Sequence, residues 1–359
     1  MQLNYSMYMN TSGYSISAQE YILAMLSVKP DLDIKVHFIS PPGEGISGLR
    51  ELVFSGLEGK TSSNPRLYLF HSNPRKWART NGKCVGFSIY ETIEPPHEWV
   101  VQMNRMDAII TASQFNKSTF EQAGVRVPIH VVPHTFDARM FHSGVQPGGR
   151  YRKLTYFSMG TWKDRKNWAG LIKGWYEAFD NSHQTALVIK TENARMLQRM
   201  VQQIKKDGPW RSKDTAPIYA EQQTHCPFED IPSIMRKGDI FISASLGEGF
   251  GLCGLHAMAL GMPVITTRFG GVLEYAKPEL CTHLEPSGYR RVPCLDGIPQ
   301  YANKIWPVVQ IKEIAAKLWH TYEARAEVVE KQQSAYKFVH NNFTYDVIGR
   351  RMLQALELA

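Results

Sequence analysis

Short apolar segments alternate with helix-like segments along this chain, and this alternation limits the folds open to it. In the first part, residues 16–28 and 114–123 have the helical pattern. Since strands that alternate with helices form parallel sheets covered by helices, this part predicts one α/β unit. Its predicted strands are residues 35–40, 66–70, 83–88, 108–111 and 129–132.

A polar segment rich in Gly and Pro, residues 141–150, interrupts the alternation and predicts a linker. The alternation then restarts, with strands at 153–158, 186–190, 218–220, 239–243 and 263–266 and helices at 168–179, 193–206 and 252–260. We therefore expect two doubly wound, Rossmann-like α/β domains facing a cleft that holds the active site.

The domain boundaries follow from this pattern. We expect residues 1–148 to form the first domain, on the acceptor side, and residues 149–335 to form the second, nucleotide-binding domain. The tail from Ile311 to Leu358 is nearly all helical in pattern. We expect its last part, residues 336–359, to be a helix that crosses back to the first domain.

Composition favours a cytoplasmic protein that partners with anions. The net charge of +8 suits a phosphate-bearing partner, although it equally suits a generic basic surface. No apolar run is long enough to span a membrane, and no basic segment followed by an apolar one predicts a secretory signal. The odd number of cysteines, without a CxxC pair, argues for reduced thiols. We expect a cytoplasmic location, and the alternative is a cytoplasmic protein attached peripherally to a membrane surface.

Residues 245–271 carry most of the functional information. An apolar strand leads into a glycine-rich turn, Glu248-Gly249-Phe250-Gly251, and then into a helix that starts near Leu252 and stops at Gly261. Glycines let a ligand approach the backbone closely, and the N-terminus of a helix favours anions such as a diphosphate. Glu248, just before the turn, is suited to accept hydrogen bonds from sugar hydroxyls.

This string resembles the signature of the family-4 retaining glycosyltransferases of the group 1 type, which have the GT-B fold. Their pattern is Glu-Gly-Phe-Gly-Leu, three residues, Glu-Ala-Met-Ala, a small residue, Gly, a variable residue and Pro-Val. The resemblance implies that Glu248 lies at the donor sugar and that the amides of Gly249 to Leu252 contact the donor. His256 replaces the family's second glutamate, which usually holds the ribose, so the donor nucleotide stays open.

A second segment of the family binds the donor diphosphate through an arginine and a lysine. Residues 156–167 resemble it, and Lys166 matches the lysine. Thr161 stands at the usual arginine position, so Arg165 and Lys163 are the candidate substitutes. Fixed cations at this place stabilise the charge that grows on the leaving nucleoside diphosphate.

The first domain supplies weaker candidates. Ser12 and Gly13 resemble the family's first-domain glycine loop, which meets the donor phosphates or the acceptor, although Ser-Gly before a helix is also an ordinary cap. Glu91 follows a predicted strand and is suited to orient the acceptor hydroxyl or to act as a general base. A cap or a salt bridge is the structural alternative for Glu91. His134 is expected to be structural.

Three further segments complete the expected site. Gly270, Gly271 and Glu274 resemble a second phosphate-facing turn of the family, and residues 225–232 resemble the loop whose backbone reads the nucleotide base. Asp31-Leu32-Asp33 is an Asp-x-Asp that we interpret as a turn. The resemblance implies an enzyme without a metal or other cofactor, whose donor is a nucleoside diphosphate sugar such as a UDP- or GDP-sugar.

The acceptor stays open at this stage. A glycan, a lipid head group or a small molecule is the default. DNA carrying hydroxymethylated bases is an alternative, because residues 75–83 mix cations with Trp77 as nucleic-acid surfaces do. A non-catalytic nucleotide-sugar-binding protein is an alternative of another class, supported by His256 and Thr161.

Overall fold

A computed structural model describes residues 2–41, 49–58, 66–221 and 226–359. The chain divides into two compact units. The first unit consists of Met1–Ala138 and His340–Ala359, and the second unit consists of Arg139–Val339. Each unit contains, within its described residues, one parallel six-stranded sheet with helices. The predicted fold class, two doubly wound Rossmann-like domains, is confirmed.

The sheet of the first unit has the strand order β2-β1-β3-β4-β5-β6. Its strands are β1 (Gln2–Met7), β2 (Asp33–Phe38), β3 (Leu67–His71), β4 (Lys83–Phe87), β5 (Ala108–Thr111) and β6 (Ile129–Val131). The helices of this unit that precede the second unit are α1 (Gly13–Val28), α2 (Leu49–Glu58), α3 (His97–Met103) and α4 (Gln114–Gln122).

Strand β1 is an element that the sequence pattern did not predict. It pairs with both β2 and β3 in the sheet. Its apolar side chains Leu3, Tyr5 and Met7 are buried, whereas the residues between them are polar. Because strands were sought as continuous apolar runs, a strand with polar residues at every second position escaped the prediction.

The sheet of the second unit has the order β12-β11-β10-β7-β8-β9. Its strands are β7 (Leu154–Met159), β8 (Thr185–Lys190), β9 (Ile218–Ala220), β10 (Ile240–Ser243), β11 (Val264–Thr267) and β12 (Thr282–Leu284). An antiparallel hairpin of β13 (Gly288–Val292) and β14 (Lys304–Val308) follows the sheet. The helices of the second unit are α5 (Trp168–Ala178), α6 (Ala194–Asp207), α7 (Ile231–Met235), α8 (Leu252–Ala259), α9 (Ile311–Glu323) and α10 (Arg325–Asn342), whose last residues belong to the first unit.

The predicted linker, residues 141–150, is part of the second unit, so the division falls earlier than the predicted boundary at residue 148. The Phe141 ring is fully buried and stacks on His256. The Gly148 N–H donates to the carbonyl of Ser233. The composition of this segment predicts irregular structure, as observed. The unit to which the segment belongs is decided by its contacts with residues that are distant in the sequence.

The end of the chain belongs to the first unit, from His340 onward. Helix α11 (Tyr345–Leu358) packs against α1 so closely that a Cβ on Gly349 would lie 2.3 Å from the Ala24 carbonyl oxygen. The Tyr345 hydroxyl also donates to the buried Glu20 carboxylate at 2.9 Å. No helix among the described residues is long and apolar enough to cross a membrane.

Candidate functional site

The candidate site lies where the second sheet reverses its direction of winding. Strands β7 and β10 are neighbours, but the sheet continues from β7 to β8 on one side and from β10 to β11 on the other. Ligands of α/β sheets bind at the carboxyl ends of such a strand pair. Residues 160–167 follow β7, and residues 244–251 follow β10. The two segments singled out in the sequence therefore meet at this point.

Glu248 is the centre of the contacts between the two segments. Its Oε1 lies 2.5 Å from the Nζ of Lys166, and its Oε2 lies 3.2 Å from a terminal nitrogen of Arg165. The Glu248 side chain is 14% exposed. Burial raises its pKa, but Lys166 and Arg165 outweigh burial and lower the pKa to about 2. Glu248 is therefore ionised at neutral pH.

The glycine turn is held by close contact with a second turn. The Gly271 N–H donates to the carbonyl of Glu248 at 2.8 Å, and a Cβ on Gly271 would lie 1.8 Å from the carbonyl oxygen of Gly249. Gly251 has φ +85°, a conformation that favours glycine, and its carbonyl accepts the hydroxyl of Tyr275 at 2.6 Å. Both turns thus depend on glycines that lie apart in sequence.

Helix α8 begins at Leu252, directly after Gly251, so the amides of its first turn lie beside Glu248. Phe250 is buried against the ring of Tyr275, which leaves its backbone as the part suited to contact a ligand. A helix N-terminus and a lysine at one place form a site suited to a diphosphate.

Arg165 has a second acidic partner, which the sequence analysis missed. Asp296 lies in the loop between β13 and β14, and its Oδ1 accepts the backbone N–H of Arg165 at 2.9 Å. Its Oδ2 lies 3.5 Å from the Arg165 Nε. The dipeptide Asp296-Gly297 is a turn signal, but nothing in the sequence connects it with a residue 131 positions earlier.

Lys190, at the carboxyl end of β8, is another residue that the analysis did not select. It is buried to 6% exposure, although lysine is rarely buried. Burial raises the pKa of the nearby Cys226 thiol, and Lys190 acts in the opposite direction. The only local signal was a cation at the end of an apolar strand. Lys190 therefore adds a positive group to the carboxyl edge of this sheet.

His256 lies on α8 but is enclosed by aromatic rings. Its ring is stacked on Phe141 with centroids 4.1 Å apart and meets the edge of Phe228 at 5.8 Å. The side chain is only 3% exposed. Phe228 belongs to the segment that resembles the base-reading loop, whose first residue, His225, lies outside the described residues. The family glutamate is thus replaced by a ring that fits an apolar stack.

The predicted residues of the first unit have modest roles in the structure. Ser12 caps α1 by accepting the N–H of Ser15, and a Cβ on Gly13 would meet no atom within 4 Å. Glu91 lies close enough to Tyr14 to contribute, after burial, to raising the pKa of that phenol. His134 is buried, and its Nδ1 lies 3.0 Å from the hydroxyl of Tyr21. The predicted structural role of His134 agrees with this placement.

The basic cluster of residues 75–83 is largely explained by contacts within the first unit. Arg75 pairs with Glu98, and Arg79 forms two hydrogen bonds to Asp107, of 2.6 and 2.9 Å. Trp77 is 5% exposed and covers Gly86, so no stacking surface is offered by its ring. The structure therefore removes Trp77 as a stacking surface, whereas Arg75 and Arg79 are exposed cations that each have an acidic partner.

Among the described residues, no group of three His, Cys, Asp or Glu side chains is arranged to hold a metal ion. Asp33 starts β2, and the Leu32 N–H closes a turn onto Lys29, as interpreted from the sequence. The polar groups of the candidate site are cations, amides and the carboxylates of Glu248 and Asp296.

Comparison with known proteins agrees with this geometry. Residues 156–289 match the family model of glycosyl transferases group 1. This span contains Lys166, Glu248, His256 and both glycine turns. The match lies entirely within the second unit and covers less than half of the chain.

Three known proteins are similar over different lengths. HepE of Anabaena, solved in complex with UDP and glucose, is 13% identical, with a TM-score of 0.72 over 100% of both chains. Uncharacterized protein 356 of Sulfolobus islandicus rod-shaped virus 1 is 20% identical over 282 residues, which are 76% of each chain. The GPI3 subunit of phosphatidylinositol N-acetylglucosaminyltransferase of Saccharomyces cerevisiae is 26% identical over 94 residues, 26% of this chain and 20% of that protein. The similarity to HepE shows that the two Rossmann-like units have the GT-B fold.

Proposed function

Because residues 156–289 match the model of glycosyl transferases group 1 and the chain has the GT-B fold, we propose that it transfers a sugar from a nucleoside diphosphate sugar to a hydroxyl group, with retention of configuration. The observation that supports this most is the ionised Glu248, paired with Lys166 beside the N-terminus of α8. This arrangement places a hydrogen-bond acceptor for sugar hydroxyls next to positive groups for a diphosphate.

The reaction breaks the bond between the anomeric carbon and the diphosphate and forms a bond to the acceptor oxygen. Lys166 and the first amides of α8 stabilise the negative charge that the leaving diphosphate gains. Glu248 accepts hydrogen bonds from the donor sugar and so fixes its orientation. Glu91 of the first unit is our candidate to orient the acceptor hydroxyl and to take its proton.

The nucleotide of the donor, uridine or guanosine, is the next question. The solved HepE contains UDP and glucose, so UDP-sugars are the first donors to test. His256 is stacked on Phe141 and carries no carboxylate for a ribose diol, so GDP-sugars belong in the same panel. Because the contacts proposed for the diphosphate are amides and cations, we expect transfer to survive treatment with a metal chelator.

For the acceptor we propose a glycan or a lipid-linked hydroxyl, handled by a protein of the cytoplasm or of a membrane surface. The name of the similar GPI3 subunit, an N-acetylglucosaminyltransferase acting on phosphatidylinositol, supports a lipid-linked acceptor as one member of the test set. DNA with hydroxymethylated bases is tested as a further acceptor, although Arg75 and Arg79, which suggested it, are paired with acidic residues.

The deciding experiment is calorimetry with a panel of UDP- and GDP-sugars, followed by an assay for nucleotide release with and without acceptors. We expect one donor to bind and to be turned over, and the Glu248→Gln variant to lose turnover. Binding without turnover in the presence of every acceptor would indicate a non-catalytic sugar-nucleotide-binding protein. Absence of binding for all donors would refute the proposal.

A further inference from the structure

The loop between β13 and β14 holds Asp296 in a conformation set by the backbone. Asp296 and Gly297 have φ of +62° and +63°, and the Ile298 N–H donates to the carbonyl of Leu295 at 3.3 Å. Two left-handed residues inside such a hydrogen bond are typical of a type I′ turn, which favours Asp-Gly. The turn therefore fixes the direction of the Asp296 side chain.

Asp296 contacts Arg165 twice with a fully buried carboxylate. Its side chain is 0% exposed and its Oδ1 accepts the Arg165 backbone N–H at 2.9 Å. Its Oδ2 lies 3.5 Å from Nε, an ion pair without a hydrogen bond among the described residues. A buried carboxylate is costly unless it is paired and hydrogen-bonded. One residue thus holds both the main chain and the guanidinium of Arg165.

The far end of the same guanidinium reaches the glycine turn. A terminal nitrogen of Arg165 donates to the Gly247 carbonyl at 2.9 Å and to the Glu248 Oε2 at 3.2 Å. The carbonyl of Arg165 in turn accepts the Leu246 N–H at 2.7 Å. Arg165 therefore links the hairpin loop to Glu248, whereas Lys166 approaches the other carboxylate oxygen.

We propose that Asp296 is a positioning residue that holds Arg165 against Glu248. Arg165 then orients the Glu248 carboxylate, which contacts the donor sugar, and Lys166 binds the diphosphate. This inference rests on the function proposed above. The sequence suggested that Arg165 binds the diphosphate, whereas this proposal makes Arg165 a residue that orients Glu248. It also gives the hairpin, which lies outside the matching motifs, a part in the donor site.

The proposal predicts a separation of turnover from binding. Without the Asp296 charge, the Arg165 guanidinium loses one of its two acidic partners, so it holds the Glu248 carboxylate less firmly in the orientation needed for transfer. Lys166 and the amides of α8 are unchanged, so the affinity for UDP is kept. A residue needed only for folding would lower affinity and stability together.

Asp296→Asn is the variant of choice, because Asn keeps the oxygen that accepts the Arg165 N–H and tolerates a positive φ. Asp239→Asn is the matched control: Asp239 accepts the backbone N–H of Thr155 at 2.8 Å and lies 3.7 Å from Arg150, at the amino ends of β7 and β10. We expect kcat of Asp296→Asn to fall about tenfold or more, with the UDP Kd changed less than about twofold. Asp239→Asn should keep its kcat.

A double-mutant cycle shows whether Asp296 acts through Arg165. The variants are Asp296→Asn, Arg165→Lys and their combination, and the expected combination is no slower than Arg165→Lys alone. Fully additive losses, or a UDP affinity that falls as much as kcat, would overturn the proposal. An equal loss in Asp239→Asn would overturn it as well.

If the wild-type protein turns over no donor, the proposed function has failed, and this result is distinct from a failure of the proposal for Asp296. In that case the rotation of the Arg165 guanidinium, measured by NMR on arginine-labelled protein and assigned with Arg165→Lys, still tests the contact. Slow rotation that becomes fast in Asp296→Asn and stays slow in Asp239→Asn supports the positioning role. Fast rotation in the wild type refutes it.

Discussion

The Lys166 ammonium and the Glu248 carboxylate lie 2.5 Å apart, although 82 positions separate them in the sequence. They meet because β7 and β10 are neighbours in the sheet and the segments that follow these strands turn toward each other. The pair unites the two motifs that the sequence analysis had to treat separately.

Substitution of Glu248 by Gln should abolish transfer while the protein stays folded. The amide keeps the size of the side chain but loses the charge that fixes Lys166 and accepts sugar hydroxyls. We expect kcat to fall by about 100-fold or more, as for loss of a group that acts on the transition state. The measurement is release of nucleotide from the donor identified in the panel.

Glu327→Gln is the control for that variant, since Glu327 is an exposed carboxylate paired with Lys331. Its rate should match that of the wild type. A Glu248→Gln protein with wild-type rates would remove Glu248 from the mechanism and with it the main support for the proposed reaction.

The stability that Glu248 contributes should depend on pH in a defined window. Its folded pKa is lowered from 4.5 to about 2, so its stabilising effect is complete above pH 4.5 and is lost as the pH falls toward 2. The wild type should therefore exceed Glu248→Gln in urea-unfolding midpoint at pH 7. The difference should narrow as the pH is lowered from 5 to 3, and a constant difference would contradict the low pKa.

Substitution of Lys166 by Met should weaken UDP binding by about tenfold or more, because a hydrogen bond to a charged group contributes roughly 1.5–3 kcal/mol. The loss in kcat should be larger still, since charge grows on the leaving diphosphate. Calorimetry with UDP and steady-state kinetics measure the two effects. Lys153→Met, which changes an exposed lysine just before β7, is the matched control and should bind UDP normally. Equal losses in both variants would mean that general charge, and not Lys166, binds the diphosphate.

The sequence predicted the local structure around the candidate site well. A strand, a glycine turn and a helix follow one another in residues 240–259, and each has its own compositional signal. The strands of the second sheet were predictable for the same reason, because β8 and β11 are buried throughout and β7 is buried up to its last residue. Buried parallel strands leave this mark in any sequence.

Contacts between distant segments were not predictable. Asp296 reaches Arg165 only because a hairpin follows β12, and Phe141 lies on His256 only because the supposed linker folds onto α8. Neither residue carries a local pattern that names its partner. The His256 substitution looked like a change of ligand in the sequence, and its aromatic surroundings became visible only in the fold.

Substitution of His256 by Glu, the residue of the family pattern, should destabilise this protein. The carboxylate would be buried between the rings of Phe141 and Phe228, where a charge lacks hydration. We expect a loss of roughly 2–4 kcal/mol in unfolding free energy, measured by urea unfolding at pH 7. Burial raises the pKa of such a carboxyl, so the loss should grow as the pH rises from 5 to 8.

His256→Phe tests the same stack from the other side. Because Phe fills a similar flat space, this variant should retain stability within about 1 kcal/mol. A stable His256→Glu protein that binds its donor more tightly would show that position 256 serves the ribose and not the packing of α8.

Substitution of Gly271 by Ala should disrupt the candidate donor site. The added Cβ would lie 1.8 Å from the Gly249 carbonyl oxygen and 2.9 Å from the Cα of Phe250, and both are main-chain atoms that cannot rotate away. The two turns must separate, so we expect a loss of about 3 kcal/mol or more in stability and no measurable transfer. Gly288→Ala is the control, because a Cβ there meets no atom within 4 Å, and its stability should stay within about 0.5 kcal/mol of the wild type. If Gly271→Ala were as stable and active as Gly288→Ala, the close approach of the two turns would not be needed to hold Glu248 in place.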